Sequence, residues 1–157
     1  MKRPSWDRYF MNIAYKAAER SNCIRRQIGA VIVRDKNIIS TGYNGTPIGV
    51  KNCFEGGCSR CASDIPSGHG VDTCLCAHAE QNAFAFAARH GARTEGAVIY
   101  STTRPCFWCL KESIQAGMVK IYYVEPYDYE PALEEVYAQL LKESGLEMEQ
   151  LSQTMDE

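Results

Sequence analysis

Two short stretches of this 157-residue chain combine residue types that bind cations and move protons: His78-Ala79-Glu80 and Pro105-Cys106-Phe107-Trp108-Cys109. Cysteines at i and i+3 in a first helical turn point the same way, so the sulfurs of Cys106 and Cys109 can reach one ion. A helix N-terminus favours negative charge, which lowers a thiol's pKa and readies it as a ligand. Pro105 gives up an N–H that a helix start could not pair. Two thiolates and the imidazole of His78 give a zinc ion three protein ligands and leave its fourth position open. That is the arrangement of a catalytic site, in which the ion activates water near neutral pH. Glu80 stands two residues past His78, about 200° around a helix, so the two do not share a lateral face. Both can converge on an ion held off the helix tip, where the carboxylate serves as a proton carrier and not as a ligand.

The surrounding pattern predicts the elements that position these residues. An amphipathic helix is expected over 5–21, capped by Ser5, with Tyr9, Phe10, Ile13, Ala17 and Ala18 on one face. The β-branched run Gly29 to Arg34 reads as a buried strand, Asp35-Lys36-Asn37 as a turn, and Ile38 to Tyr43 as the hairpin partner. From Asn44 to Cys76 the chain is rich in Gly, Cys, Asn, Ser and Pro and has no period, so something must tie that stretch down. A helix follows from about Ala77 to His90, closed by Gly91, and then the strand Ala97–Ser101. The next helix runs from Pro105 or Cys106 to Ala116, stopped by Gly117. The strand Lys120–Val124, an acidic helix over Pro131–Ser144 and a short strand near Leu146–Leu151 complete the order. This succession predicts an α/β fold, a three-layer α-β-α sandwich on a mixed five-stranded sheet. Residues 1–157 are expected to form a single domain with a Cys-rich insert at about 44–76.

Composition narrows the class. Apolar residues make up 45% and charged residues 23%, which excludes a disordered or collagen-like chain. No apolar run approaches the ~20 residues of a membrane span, and the opening residues lack the apolar core of a signal peptide, so a cytoplasmic location is expected. A net charge of −2 argues against binding a long nucleic acid. The charge is uneven, however: residues 1–60 hold 11 Lys+Arg against 4 Asp+Glu, and residues 61–157 hold 6 against 15. The basic half suits a small anion such as a nucleotide phosphate. Eight cysteines at Cys-x-x-Cys and Cys-x-Cys spacing in a reducing compartment point to metal and not to disulfides.

Taken together and in this order, the two chemical stretches match the His-x-Glu…Pro-Cys-x-x-Cys signature of zinc-dependent base deaminases. Over roughly residues 5–130 the chain resembles the deoxycytidylate (dCMP) deaminases of the cytidine deaminase superfamily. The resemblance also rests on the segments Cys23–Val33, Ile38–Pro47 and His78–Arg89. Its most telling piece is the Gly42-Tyr43-Asn44-Gly45 tetrad.

The resemblance implies a cytidine deaminase-like fold and hydrolysis of dCMP to dUMP and ammonia, a reaction that feeds dTMP synthesis. Zinc would sit on His78, Cys106 and Cys109, and Glu80 would protonate the ring N3 and carry a second proton to the departing ammonia. Ala79 would offer backbone groups to the base edge, Asn44 would contact the sugar, and Tyr127 would lie near the substrate. Arg25 and Arg26 are the nearby cations for the phosphate, with Arg26 the chosen candidate. The family's dCTP activation and dTTP inhibition would involve Gly42, Tyr43, Asn44 and Gly45 with Phe86 and Arg89. A second, structural zinc would pin the insert through Cys23, Cys53 and Cys76. Cys74 is the chosen fourth ligand, and Cys58, Cys61 and His69 are alternatives. A homo-oligomer, commonly a hexamer, is also implied, with no membrane or nucleic acid polymer as partner. Two other readings stand beside this one: deamination of a different base or nucleoside, and a non-catalytic zinc-stabilised nucleotide-binding module. Glu80 separates the last from an enzyme, because a purely structural metal site gains nothing from a carboxylate beside its ligands.

Overall fold

Ser5 starts the first helix, its Oγ accepting the Arg8 N–H at 3.2 Å. In the computed structural model, which describes residues 3–153, helix α1 spans Trp6–Ala18. The two residues before this range and the four after it belong to the expected 1–157 domain but lie outside the described residues. α1 ends three residues earlier than its apolar pattern suggests. The Ser21 hydroxyl turns back to donate to Asn44 instead, to its backbone oxygen at 2.8 Å and to its side-chain Oδ1 at 2.7 Å.

Strand β1 (Gly29–Arg34) and strand β2 (Asn37–Tyr43) form a hairpin. Its turn residues Asp35 and Lys36 both have positive φ, the backbone that suits the right-handed twist of the flanking strands. Gly29 is required by close approach. A Cβ there would lie 1.9 Å from the Ala14 carbonyl oxygen, so any side chain would push α1 off the sheet.

The segment after β2 leaves the sheet at a backbone bridge between Gly45 and Ala77, with N–H···O distances of 3.1 and 2.8 Å. This bridge closes the base of the Cys-rich excursion, which contains only a short helix α2 (Ser59–Ala62) and 3-10 turns at Cys53–Glu55 and Val71–Thr73. Then follow helix α3 (Ala79–Arg89), strand β3 (Val98–Thr103), helix α4 (Phe107–Gln115) and strand β4 (Lys120–Glu125). Helix α5 (Pro131–Ser144) has the bounds its sequence suggests, and strand β5 (Glu147–Gln150) lies in the tail.

The sheet order is β2-β1-β3-β4-β5. β1 is antiparallel to β2 and β3, while β3, β4 and β5 run parallel, so the sheet is mixed as expected. Alternation along the strands separates two cores. Ala30, Ile32, Ile99 and Ile121 face α3, α4 and α5, and Val31, Val33, Tyr100 and Val124 face α1. The result is the three-layer sandwich. No helix among the described residues is long and apolar enough to cross a membrane.

Candidate active site and metal centre

Two helix starts converge. His78 is the N-cap of α3 and Cys106 the N-cap of α4, so both ligands stand at the positive ends of their helices. The His78 Nδ1 lies 3.4 Å from the Cys106 Sγ and 3.4 Å from the Cys109 Sγ. For zinc with about 2.3 Å bonds to sulfur and 2.0–2.1 Å bonds to nitrogen, a tetrahedron places sulfur and nitrogen about 3.5 Å apart. Both nitrogen–sulfur distances are therefore those one zinc ion demands, and all three ligand atoms lie within 4.8 Å of one another, so the set fits zinc. His78 is held from its backbone side, where its N–H donates to Gln81 Oε1 at 3.0 Å. The Gln81 amide in turn donates to Glu112 Oε1 at 3.3 Å, tying α3 to α4.

The thiols are electrostatically uneven. Hydrogen bonding from Cys109, with His78 assisting, holds Cys106 down at about 4 against the effect of burial. Cys109 moves the other way, well up, because it donates to Cys106, is buried and faces the negative charge of Glu80. The first proton leaves this pair easily and the second is resisted, a resistance that a divalent cation bound to both sulfurs would offset.

Glu80 is buried at 4% exposure, in the first turn of α3. Its Oε2 lies 3.5 Å from the Cys109 Sγ, and its Oε1 accepts a hydrogen bond from Ser101 Oγ at 2.9 Å. Burial pushes the Glu80 carboxyl up, and the nearby His78 and Ser101 oppose that only in part. An acid so placed can hold a proton and deliver it beside the metal ligands. Ser101 was not singled out by sequence. It is an unremarkable residue in a β-branched strand, and only the β3 register beside α3 brings it to Glu80.

The other expected residues divide. Asn44 is buried, and its Oδ1 accepts from Ser21 Oγ and from the Ile28 N–H at 2.7 and 2.8 Å. Its Nδ2 donates to the Arg26 carbonyl at 2.9 Å, which leaves that amide a second hydrogen for a ligand. Ala79 is wholly buried at the first position of α3. Gly42 lets β2 approach it: a Cβ on Gly42 would lie 2.1 Å from the Ala79 carbonyl oxygen. Arg26 is exposed, and its guanidinium lies 5.3 Å from the centre of the Tyr127 ring. A cleft lined by Ser21, Arg25, Arg26, Gln27 and Phe54 runs alongside.

Arg25, the other candidate cation, is engaged elsewhere. Its guanidinium donates to the carbonyls of Arg60, Cys61, Ser63 and Ile65 in the insert. Tyr43 is exposed, and its carbonyl accepts from Asn82 on α3 at 2.7 Å. Phe86 and Arg89 follow Asn82 one and two turns along the same helix, Phe86 half-buried and Arg89 exposed.

The remaining six cysteines gather in one place. Cys23, Cys53, Cys61 and Cys76 form one group of four with all sulfurs within 4.8 Å, and Cys58, Cys61, Cys74 and Cys76 form another. The four ligands chosen from sequence are thus divided between two overlapping groups, and Cys61, held only as an alternative, belongs to both. His69 is exposed and belongs to neither.

The profile of the cytidine and deoxycytidylate deaminase zinc-binding region matches residues 4–125. The chain is 45% identical over 148 residues to a deoxycytidylate deaminase of Schizosaccharomyces pombe, an alignment covering 94% of this chain and 44% of that protein. It is 44% identical over 154 residues to the deoxycytidylate deaminase of Saccharomyces cerevisiae, covering 98% of this chain and 47% of that one. The chain therefore spans just under half the length of these two relatives. The crystal structure of a dCMP deaminase from the cyanophage S-TIM5, in complex with dCMP and dUMP, matches with a TM-score of 0.72 at 28% identity. That match covers 96% of this chain and 100% of the phage chain. With its signature residues drawn together in space and its profile matched along most of its length, the chain belongs to the cytidine and deoxycytidylate deaminase family.

Proposed function

We propose that this protein hydrolyses dCMP to dUMP and ammonia, feeding dTMP synthesis. The observation that carries the reading is Glu80, a buried carboxyl set against a three-ligand zinc site. A structural site has no use for it. Support for the substrate comes from the fungal relatives and from the phage enzyme that holds dCMP and dUMP.

His78, Cys106 and Cys109 would hold zinc, whose Lewis acidity makes water a competent nucleophile near neutral pH. Glu80 takes the proton that water gives up and delivers it to the ring N3 as the nucleophile adds at C4. The same carboxyl then takes the proton of the hydroxyl added at C4 and passes it to the amine, which leaves as ammonia. Ser101 holds Oε1 so that Oε2 faces the ligands. Ala79 offers backbone groups to the base edge, the free hydrogen of the Asn44 amide reaches the sugar, and Arg26 beside Tyr127 meets the phosphate.

The reading extends to regulation, with dCTP activating and dTTP inhibiting through Gly42, Tyr43, Asn44 and Gly45 together with Phe86 and Arg89. The Asn82 contact to Tyr43 supports this, since it couples the tetrad to the helix that carries His78 and Glu80. It extends also to residues 1–157 as one deaminase domain with an insert at about 44–76, to a homo-oligomer such as a hexamer, to further zinc on the insert's cysteines, and to a reducing cytoplasm that keeps all eight thiols free.

The test is ammonia release by the purified chain from dCMP, deoxycytidine and cytidine, with and without dCTP. Turnover confined to dCMP and raised by dCTP supports the reading. Equal turnover of deoxycytidine overturns the substrate, and no turnover of any cytosine compound overturns the activity.

A further inference from the structure

We propose that the insert holds a binuclear zinc–thiolate cluster. Two zinc ions share six cysteines, with Cys61 and Cys76 bridging both ions. Cys23 and Cys53 are terminal ligands on one ion, and Cys58 and Cys74 are terminal ligands on the other.

The first support is distance. The Cys61 Sγ lies 3.9 Å from Cys23, 3.8 Å from Cys74 and 3.9 Å from Cys76, and the Cys58 Sγ lies 3.9 Å from Cys74. Adjacent sulfurs of a zinc tetrahedron with 2.3 Å bonds stand about 3.8 Å apart. A disulfide would bring two sulfurs to about 2.05 Å, far inside these spacings. Each observed separation is that of a tetrahedron's edge.

The second is arithmetic of ligands. Two four-coordinate ions demand eight ligand positions, and six sulfurs fill them only when two are shared. The two groups of four share two residues, Cys61 and Cys76. These are the two sulfurs through which tetrahedra would meet along an edge. A single ion on either group would leave two thiols pressed against its ligands with nothing to bind.

The third is charge. Six thiolates and two divalent cations sum to a double negative charge. Arg25 reaches into the insert and Arg60 lies within it, Arg25 donating to the Cys61 carbonyl at 3.0 Å and the buried Arg60, next to Cys61 in the chain, to the His69 carbonyl at 2.6 Å. Neither guanidinium has a carboxylate partner among the described residues, so their charge is available to offset that of a cluster in the same segment. The Leu75 N–H adds a donor to the Cys58 Sγ at 3.3 Å.

The fourth is the insert's want of any other core. Ile48, Val50, Phe54, Ile65, Val71 and Leu75 are all exposed, while Cys53, Cys58, Cys61 and Cys76 are buried. The thiols are the interior of this segment, and thiols alone do not order thirty residues of coil. Metal does, because binding free energy becomes folding free energy. The cluster ties the end of α1, through Cys23, to Cys76, two residues before His78. It so fixes the approach to the active site.

The experiment is native mass spectrometry of the intact chain produced with zinc, alongside the variant Cys106→Ser/Cys109→Ser. The expected masses carry three zinc ions in the parent and two in the variant. The variant isolates the insert: two ions there support the cluster whatever becomes of the active site, and one or none overturns it. A parent that holds no more zinc than the variant would instead count against the catalytic metal. Cadmium-113 substitution of the parent gives a second readout. Three resonances are expected, a singlet from the active-site ion and two split by mutual coupling through shared sulfurs, and three singlets overturn the bridging. Iron with acid-labile sulfide, or disulfides in the insert, would overturn it too.

Discussion

Ser101 Oγ donates to Glu80 Oε1 at 2.9 Å, a fully buried bond that joins β3 to the first turn of α3. It fixes which carboxylate oxygen faces the metal ligands. Removing it leaves Glu80 free to rotate in a site whose geometry must hold within fractions of an ångström. Ser101→Ala is expected to lower kcat about ten- to a hundredfold, the range of a hydrogen bond to a charged group, with KM and zinc content unchanged. Steady-state kinetics with metal analysis checks this.

Arg26 should distinguish nucleotide from nucleoside. Arg26→Ala is expected to raise KM for dCMP about ten- to a hundredfold while leaving deoxycytidine turnover as it was, since only the phosphate contact is removed. A parallel loss on both substrates would show that the residue acts through Tyr127 or Asn44 instead.

Gly42→Ala tests the close approach of β2 to α3. The new methyl would meet the Ala79 carbonyl oxygen at 2.1 Å and the Ala83 nitrogen at 2.6 Å, both rigid helix backbone. Overpacking of this kind costs about 1–3 kcal/mol or more. A lowered denaturant midpoint is expected, with activity falling in step because Ala79 lies between His78 and Glu80.

Acid stability should depend on Glu134. Its carboxylate is held down to about 2, first by hydrogen bonds from Arg104 and then by the Tyr129 N–H. The ionised form is the one favoured on folding. Its contribution is therefore present above the unfolded carboxyl value of about 4.3 and fades as pH falls toward 2. The pair is partly exposed, so about 1 kcal/mol is the scale. Urea unfolding of Glu134→Gln should show a deficit at pH 7 that disappears near pH 2. A deficit that persists there would point to lost packing.

Much of the frame was legible because local signals agreed. Ser5 capped α1, Gly91 and Gly117 followed α3 and α4 with positive φ, and β-branched runs fell in the central strands. The convergence of His78, Glu80, Cys106 and Cys109 was readable because both stretches sit at helix starts, where spacing alone constrains direction. The limits are physical. Helical spacing treated His78 as part of the helix, whereas it is the N-cap, and that extended backbone is what turns its ring toward the thiols. Ser101, Gln81 and Glu112 act through contacts set by sheet register and helix packing, which no local pattern encodes. In the insert, cysteine spacing gave the metal reading but not the partners, because coil has no period from which to read proximity. Arg25 and Arg26 looked alike in sequence. Folding engages the first with four carbonyls and leaves the second exposed beside the Tyr127 ring.

Glu80→Gln, assayed for kcat on dCMP with zinc counted in the same preparation, tests the proton-carrier role at its source. The amide keeps the shape and can still accept from Ser101, but it cannot take up and release a proton. We expect kcat to fall by about 10²- to 10⁴-fold with zinc content and thermal midpoint retained. Activity within tenfold of the parent, with zinc still bound, would contradict the account.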